Sequence, residues 1–242
     1  MTYRDLRSGA GLVTVLLAAA FGAALPLAGC GLISSDVTDV EIKLPDKNFT
    51  INAGGWKVSQ GDADRFLSQS CSSQPSVCSQ VDQVCPMGCT GSCNTKTCDL
   101  SLDISLAQPV NLLAEQPDLK TFSNQSVIKV GVDSVTYDIK TNTLNVATPE
   151  LTVYVAPMSV ITADDQATAI GTIPPIPAGQ TTTAPQSIVF TAAGRDKLVN
   201  VMSAFKTPFN VLVGSSILLS AGQAVPTGQL DAVVHITGHA GL

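Results

Sequence analysis

From residue 37 onward, the chain alternates apolar and polar residues in short stretches separated by proline, glycine and asparagine. The clearest stretch covers residues 128–139, where apolar side chains recur at every second position in two runs. A period of two places these side chains on one face of a half-buried β-strand. Further strands are predicted at residues 40–44, 56–58, 100–106, 144–146, 151–155, 187–190, 209–213 and 230–236. The pattern therefore predicts antiparallel strands joined by short turns.

One stretch has the spacing of an amphipathic helix instead. Its apolar residues recur at i, i+3, i+4 and i+7, and they are Leu198, Val201, Met202 and Phe205. Thr191 is placed to cap this helix and Pro208 to end it. Residues 62–70 add a helical turn with Phe66 and Leu67 facing inward. Short strands with turn signals and one helix predict an all-β fold, an antiparallel β-sandwich with one short helix.

Residues 71–98 differ in composition from the rest of the chain. They are rich in Ser, Gln, Thr and Gly and nearly lack large aliphatic residues, so burial alone cannot fold them. They contain six cysteines, namely Cys71, Cys78, Cys85, Cys89, Cys93 and Cys98. An even, clustered set in an exported chain predicts three disulfides, among 15 conceivable pairings. The alternative is a zinc site, although the spacing lacks the usual pairs of cysteines two residues apart.

The export prediction rests on the N-terminus. Arg4 and Arg7 precede an apolar run at residues 11–25, as in a secretory signal peptide. The following Leu27-Ala28-Gly29-Cys30 closely resembles the lipobox of bacterial lipoproteins. The resemblance implies that Cys30 carries a diacylglycerol and becomes the first residue of the mature chain. A transmembrane anchor is the alternative, but the run is near the lower limit of about 20 residues, and Pro26 fits cleavage better.

This interpretation divides the chain into a signal peptide at residues 1–29, a tether at 30–36 and one domain at 37–242 with a cysteine-rich insertion at about 71–98. Lipid on Cys30 implies a membrane as partner and a cell-envelope location. Gly31 stands where an aspartate would signal inner-membrane retention in that family, so we expect the outer membrane.

The formal charge is −6, and it becomes −7 when Arg4, Asp5 and Arg7 leave with the signal peptide. An acidic chain with few aromatic residues argues against nucleic-acid binding.

Residues 132–238 show a second resemblance. Its pieces are Tyr137-x-Ile139 running into residues 141–146, then residues 151–155, 176–181, 198–204, 208–214 and 230–236. In order and spacing they are similar to the water-stress, type-2 late embryogenesis abundant family. The six clustered cysteines are not part of that family's pattern. The resemblance implies an immunoglobulin-like sandwich with a short helix, a non-enzymatic stress-protective or binding role, and no catalytic residues.

Histidines and acidic loop residues are the remaining candidates for catalysis or metal binding. Four strand residues span about 13 Å, so His235 and His239 are too far apart to share one ion on a strand. Calcium uses carboxylate oxygens, but no calcium-loop motif surrounds the acidic loop residues Asp62, Asp64, Asp164 and Asp165. No Gly-x-Ser-x-Gly motif is present, and Trp56 is the only tryptophan. We therefore expect no enzyme, cofactor or metal site.

The sequence thus predicts a lipid-anchored cell-envelope protein with a non-catalytic role in interaction, structural support or stress protection, and with an envelope protein as a candidate partner. Two alternatives remain open. A small-molecule or lipid-binding module would have a pocket lined by apolar side chains. A subunit of an envelope complex would expose a contiguous apolar patch or a long unpaired edge strand.

Overall fold

A computed structural model describes residues 40–241, which form two antiparallel β-sheets packed face to face. The predicted all-β sandwich with a disulfide-rich insertion is confirmed. Sheet one contains β1 (Val40–Lys43), β2 (Lys47–Asn52), β5 (Lys129–Asn142), β8 (Gln186–Ser187) and β11 (Gln229–Gly241). Strands β1 and β2 pair with successive parts of β11, and β5 and then β8 follow on its other side. The first two strands therefore act as one interrupted edge strand.

Sheet two contains six strands. They are β3 (Cys89–Cys93), β4 (Cys98–Val110), β6 (Leu151–Pro157), β7 (Thr168–Ile173), β9 (Val189–Phe190) and β10 (Phe209–Leu219). Their order across the sheet is β3, β4, β10, β6, β7, β9. The predicted strand at residues 187–190 is split, because the chain passes from sheet one to sheet two at the buried Ile188.

Three α-helices are present in residues 40–241, where the sequence predicted one helix and a helical turn at residues 62–70. They are α1 (Gln60–Leu67), α2 (Leu112–Glu115) and α3 (Gly194–Ser203), and none is long and apolar enough to span a membrane. Short 3₁₀ turns lie at Ala53–Trp56, Pro75–Ser79, Val81–Gln83 and Pro117–Phe122. The predicted strands at 56–58 and 144–146 are wrong. Indole Nε1 of Trp56 donates to the Asp103 carbonyl (3.0 Å), and this bond holds the 3₁₀ turn at Ala53–Trp56 against β4.

Helix α3 begins later than the sequence predicted. Thr191 does not cap it, since its hydroxyl faces the Ile170 carbonyl and no side chain caps the first turn. Gly194 opens the helix because a Cβ there would overlap the Ile170 carbonyl oxygen. This close approach fixes the start of α3 against β7.

Strands β5 and β11 pair along nearly their whole length, with two bulges. Each bulge leaves one β5 residue without a partner on β11, Asp133 in the first and Lys140 in the second. A bulge changes the face to which the following side chains point. The first bulge explains why the apolar positions of β5 change phase between Val132 and Val135.

The main hydrophobic core lies between the sheets and continues into the cysteine-rich insertion. Its fully buried members include Ile42, Leu100, Leu102, Val153, Leu198, Met202 and Val211. A smaller cluster of Ala156, Val160 and Leu212 lies on the outer face of sheet two. The connection between β6 and β7 covers that face, and Gly214 leaves room for Ala163 to approach it.

A buried ion pair joins the two sheets at one edge. Nζ of Lys47 on β2 donates to both carboxylate oxygens of Glu115 on α2 (2.8 and 2.9 Å) and to the carbonyl of Pro109 on β4 (2.9 Å). The two side chains are only 9% and 18% exposed. Removing one partner leaves the other charge poorly solvated, which is the costly way to break such a pair.

We expect Lys47→Met to lower the free energy of unfolding by about 3 kcal/mol, because Glu115 is then left without its cation. Lys47→Met combined with Glu115→Leu should cost clearly less, since no charge remains buried. Urea denaturation checks both variants. The control is Lys43→Met on the exposed side of β1, which should change stability by less than about 0.5 kcal/mol. A double variant as unstable as Lys47→Met would contradict the argument.

Candidate functional site

An open groove of about 960 Å³ lies where α3 crosses the ends of β6 and β10. We call it the α3 groove, and it is lined by residues 155–159, Gln166, Thr168, Lys197, Asn200, Val201, Ala204 and residues 207–209. Its floor is formed by the buried Val155 and Phe209. Its size lies within the range of about 300–1,000 Å³ typical of ligand pockets.

Helix α3 has two faces with different roles, an apolar one and a mixed one. Leu198, Met202 and the following Phe205 are buried in the core. The groove side is formed by Lys197, Asn200, Val201 and Ala204, which recur at i, i+3, i+4 and i+7. The spacing predicts Val201 as a core residue, whereas in the structure it is half-buried in the groove wall. This second face is the signal that the sequence analysis missed.

The opposite wall of the α3 groove is held by a buried asparagine. Nδ2 of Asn210 donates to the carbonyls of Met158 (3.1 Å) and Val160 (2.8 Å). Val160 is itself buried against Ala156 and Leu212 on the outer face of sheet two. The wall is therefore held in place by the protein's own contacts, and the groove is preformed.

The α3 groove is apolar inside and polar at its rim. Lys197 is the only charged side chain among its described lining residues, which include no carboxylate, histidine or cysteine. Such a lining can bind an apolar ligand but offers no acid, base or nucleophile pair. Its chemistry is that of a binding site.

The cysteine-rich insertion contains three disulfides, as predicted, and the structure supplies the pairing. Cys71 pairs with Cys93, Cys78 with Cys98 and Cys85 with Cys89, with Cα–Cα distances of 5.9, 5.4 and 6.1 Å. The sulfurs of Cys71, Cys78 and Cys98 lie within 4.8 Å of one another. Because all three belong to disulfides, they offer no thiolate for the zinc site considered as an alternative.

Burial contributes more to this insertion than its composition suggested. Phe66 and Leu67 of α1 are buried together with Cys71, Cys78 and Val81. At Gly91 of β3 a Cβ would overlap the Cys78 carbonyl and press on the Phe66 ring (2.8 Å). The insertion is thus packed on α1 as well as cross-linked.

His235 bridges two carboxylates. Its Nδ1 lies 2.7 Å from Asp46 in the β1–β2 connection, and its Nε2 lies 3.2 Å from Asp138 on β5. A protonated ring donates to both carboxylates, whereas a neutral ring donates to only one. Lys140 and Thr182 also donate to Asp138 (3.0 and 3.3 Å). Burial works against ionisation of Asp138, but the hydrogen bonds from Lys140 and His235 outweigh it and lower the pKa of this carboxyl.

His239 has its own partner. Its Nδ1 lies 3.0 Å from Asp133, the extra residue of the first β5 bulge, and its ring lies over Gly131. Both histidines of β11 therefore contact separate carboxylates rather than forming one shared ligand set.

The acidic candidates for calcium lie on separate elements. Asp62 and Asp64 are on α1, whereas Asp164 and Asp165 are in the β6–β7 connection. Hydrogen bonds from Ser59 and Arg65 lower the pKa of Asp62. Among residues 40–241, no cluster of carboxylates has ligand atoms close enough to hold an ion.

Trp56 is buried, so its ring offers no exposed platform for a sugar.

Cys30 and the lipobox lie outside the described residues, and lipidation of Cys30 stays a prediction. Comparison of the chain with protein-family models, with curated proteins and with solved structures returned no match. The resemblances to bacterial lipoproteins and to the late embryogenesis abundant family therefore also stay predictions. The α3 groove is the candidate functional site that rests on the structure alone.

We expect the three disulfides to contribute unequally to stability. Replacing Cys78 and Cys98 together by alanine opens a loop with a sequence separation of 20, and the expected loss is about 3 kcal/mol. Replacing Cys85 and Cys89 opens a separation of only 4, with an expected loss of about 2 kcal/mol. Guanidinium denaturation measures both, and peptide mapping without reduction checks the pairing. A larger loss for the shorter loop would contradict this order.

We expect Asp138→Asn to reduce the acid sensitivity of the fold. Because the folded pKa of Asp138 lies below its usual 3.8, its ionised form contributes stability above that pH, and this contribution is lost as the pH falls further. Urea denaturation at about pH 5 and at pH 3 should show a smaller loss in the variant than in the parent protein. Asp133→Asn is the control, because it removes an exposed carboxylate and leaves the Asp138 network intact. Equal losses in both proteins would contradict the assignment.

Proposed function

We propose that this chain is a lipid-anchored protein of the bacterial cell envelope, held in the outer membrane by acyl chains on Cys30. The observation that carries the proposal is the Leu27-Ala28-Gly29-Cys30 sequence after an apolar run. Two acyl chains hold a protein stably on a bilayer, whereas one binds only marginally. The domain at residues 40–241 would then face the aqueous side of the membrane.

The three disulfides support export. Disulfides form and persist in oxidising compartments such as the periplasm and the cell surface. Cys71, Cys78, Cys85 and Cys98 are buried, and their cross-links hold a segment with few large aliphatic residues. A reducing cytoplasm would remove this support.

The role of the domain is non-catalytic in our proposal, and its partner is a ligand or another envelope protein. Each histidine is paired with carboxylates, and the α3 groove offers shape and apolar surface rather than reactive groups. Structural support is another such non-catalytic role, and stress protection is the one that the late embryogenesis abundant resemblance implies.

The second candidate function, a small-molecule or lipid-binding module, is favoured by the α3 groove itself. Its floor is buried and apolar, its walls are held by Asn210 and by the packing of α3, and polar groups line its rim. These are the features of preformed ligand sites.

Intact mass of the native protein, purified from its own membranes, tests the anchor and the disulfides together. We expect a mass that lacks residues 1–29 and carries acyl chains, with a gain of six hydrogens on reduction of the three disulfides. Cys30→Ser is the matched control, and this variant should retain its leader and carry no lipid. A native mass without acyl chains would overturn the anchor, and six free thiols would overturn the disulfides.

A further inference from the structure

We propose that the α3 groove binds one long-chain fatty acid, with the hydrocarbon chain along the groove floor and the carboxylate beside Lys197. This inference deepens the second candidate function and rests on it. It names the ligand class and the residue that recognises the ligand's charged end.

The interior of the groove suits a hydrocarbon chain better than a peptide. A peptide or a second copy of the chain would bring backbone N–H and C=O groups that need hydrogen-bond partners. The strands at the groove floor cannot supply them, because β6 is paired with β10 and β7, and β10 is paired with β4 and β6. An acyl chain has no such requirement, and it buries its surface against Val155, Val201 and Phe209.

The positive charge of Lys197 at the groove rim favours a ligand with a carboxylate at one end. Lys197 is exposed and is the only ionisable group among the described residues that line the groove. One cation beside an apolar trough complements one carboxylate at the end of a chain. A net charge of −7 on the mature chain would oppose docking on an anionic bilayer, so the groove is better suited to one fatty acid that has left the membrane than to lipids still within an anionic bilayer.

The position of the groove supports a ligand that comes from the membrane. Val40 is the first described residue, and it pairs with Ala240 on β11. Ala240 also pairs with Val130 on β5. Val40 and Val130 are therefore two strand spacings apart, about 10 Å in total. Two residues before Val130, the backbone N–H of Ile128 donates to the Ser203 carbonyl in the last turn of α3 (3.3 Å). The groove and the point where the chain enters the domain therefore lie at the same end of the sandwich.

Chain length limits how far this end can lie from a lipid on Cys30. The ten residues from Cys30 to Val40 reach at most about 35 Å when fully extended. Such a tether would keep the domain near the membrane from which a fatty acid is released.

The test is photolabelling of the full-length protein in phosphatidylcholine vesicles. The probe is palmitic acid with a diazirine on its chain, and labelled peptides are mapped by mass spectrometry. We expect labels within residues 155–159 and 197–209, and competition by unlabelled palmitate. Methyl palmitate, which lacks the carboxylate, should compete about three- to fivefold more weakly, because it loses one exposed charge contact with Lys197.

Two pairs of variants separate the chain site from the headgroup site. Val201→Trp fills the groove and should lower labelling by about tenfold or more, whereas Leu218→Trp, exposed at the other end of β10, should not. Lys197→Glu should lower labelling by about threefold, whereas Lys129→Glu, with the same charge change at an exposed site outside the groove, should not. Circular dichroism checks folding, and Lys197→Glu keeps the proposal testable if Val201→Trp does not fold.

Three outcomes would overturn the proposal. They are labels outside the groove, labelling that neither Val201→Trp nor Lys197→Glu lowers, and labelling of the groove by diazirine phosphatidylglycerol as strongly as by the palmitate probe. Intact mass of the same sample reports the lipid on Cys30 separately. An unmodified Cys30 together with specific palmitate labelling would overturn the anchor and leave the fatty-acid site supported.

Discussion

The antiparallel pairing of β5 with β11 is the interaction on which the rest of the structure depends. These two long strands form the centre of sheet one, and β1, β2 and β8 are added along their outer edges. Asp133 and Lys140, the extra residues of the two β5 bulges, each contact a polar side chain of this sheet, His239 and Asp138 respectively. A bulge increases local twist, which also helps this sheet to wrap over the core.

Much of the fold could be predicted from the sequence, because a half-buried strand carries its own signature. The alternation around Val130, Tyr137 and Val153 gave strands close to those observed. At residues 144–146 the same alternation predicts a strand that is not present. Leu144 is buried although its segment is irregular, because its backbone N–H bonds to the Asn142 side chain and the chain is held by Asn145 against Val225. The contact between Asn145 and Val225 joins residues far apart in the chain, so it leaves no local pattern.

The candidate site was less accessible to sequence reasoning. The α3 groove needs the end of β6 to meet one face of α3 and the start of β10, and a long stretch of chain separates β6 from α3. The half-buried Val201 satisfies both the core pattern and the groove pattern, so spacing alone could not assign it. The disulfide set was predictable from the even number of clustered cysteines. Its pairing was not, because it depends on how Phe66 of α1 packs against Gly91 of β3 and the Cys78 backbone.

The cysteine-rich insertion also determines how sheet two ends. Its last strand, β3, is five residues long, contains no large aliphatic residue, and is cross-linked at both ends through Cys89 and Cys93. Open strand edges are templates for pairing with another chain, and short, irregular or covered edges resist this. Copies of a protein crowded on one surface meet edge to edge far more often than copies in dilute solution. In that setting, the cross-linked strand would protect the sandwich from polymerising through its own sheet.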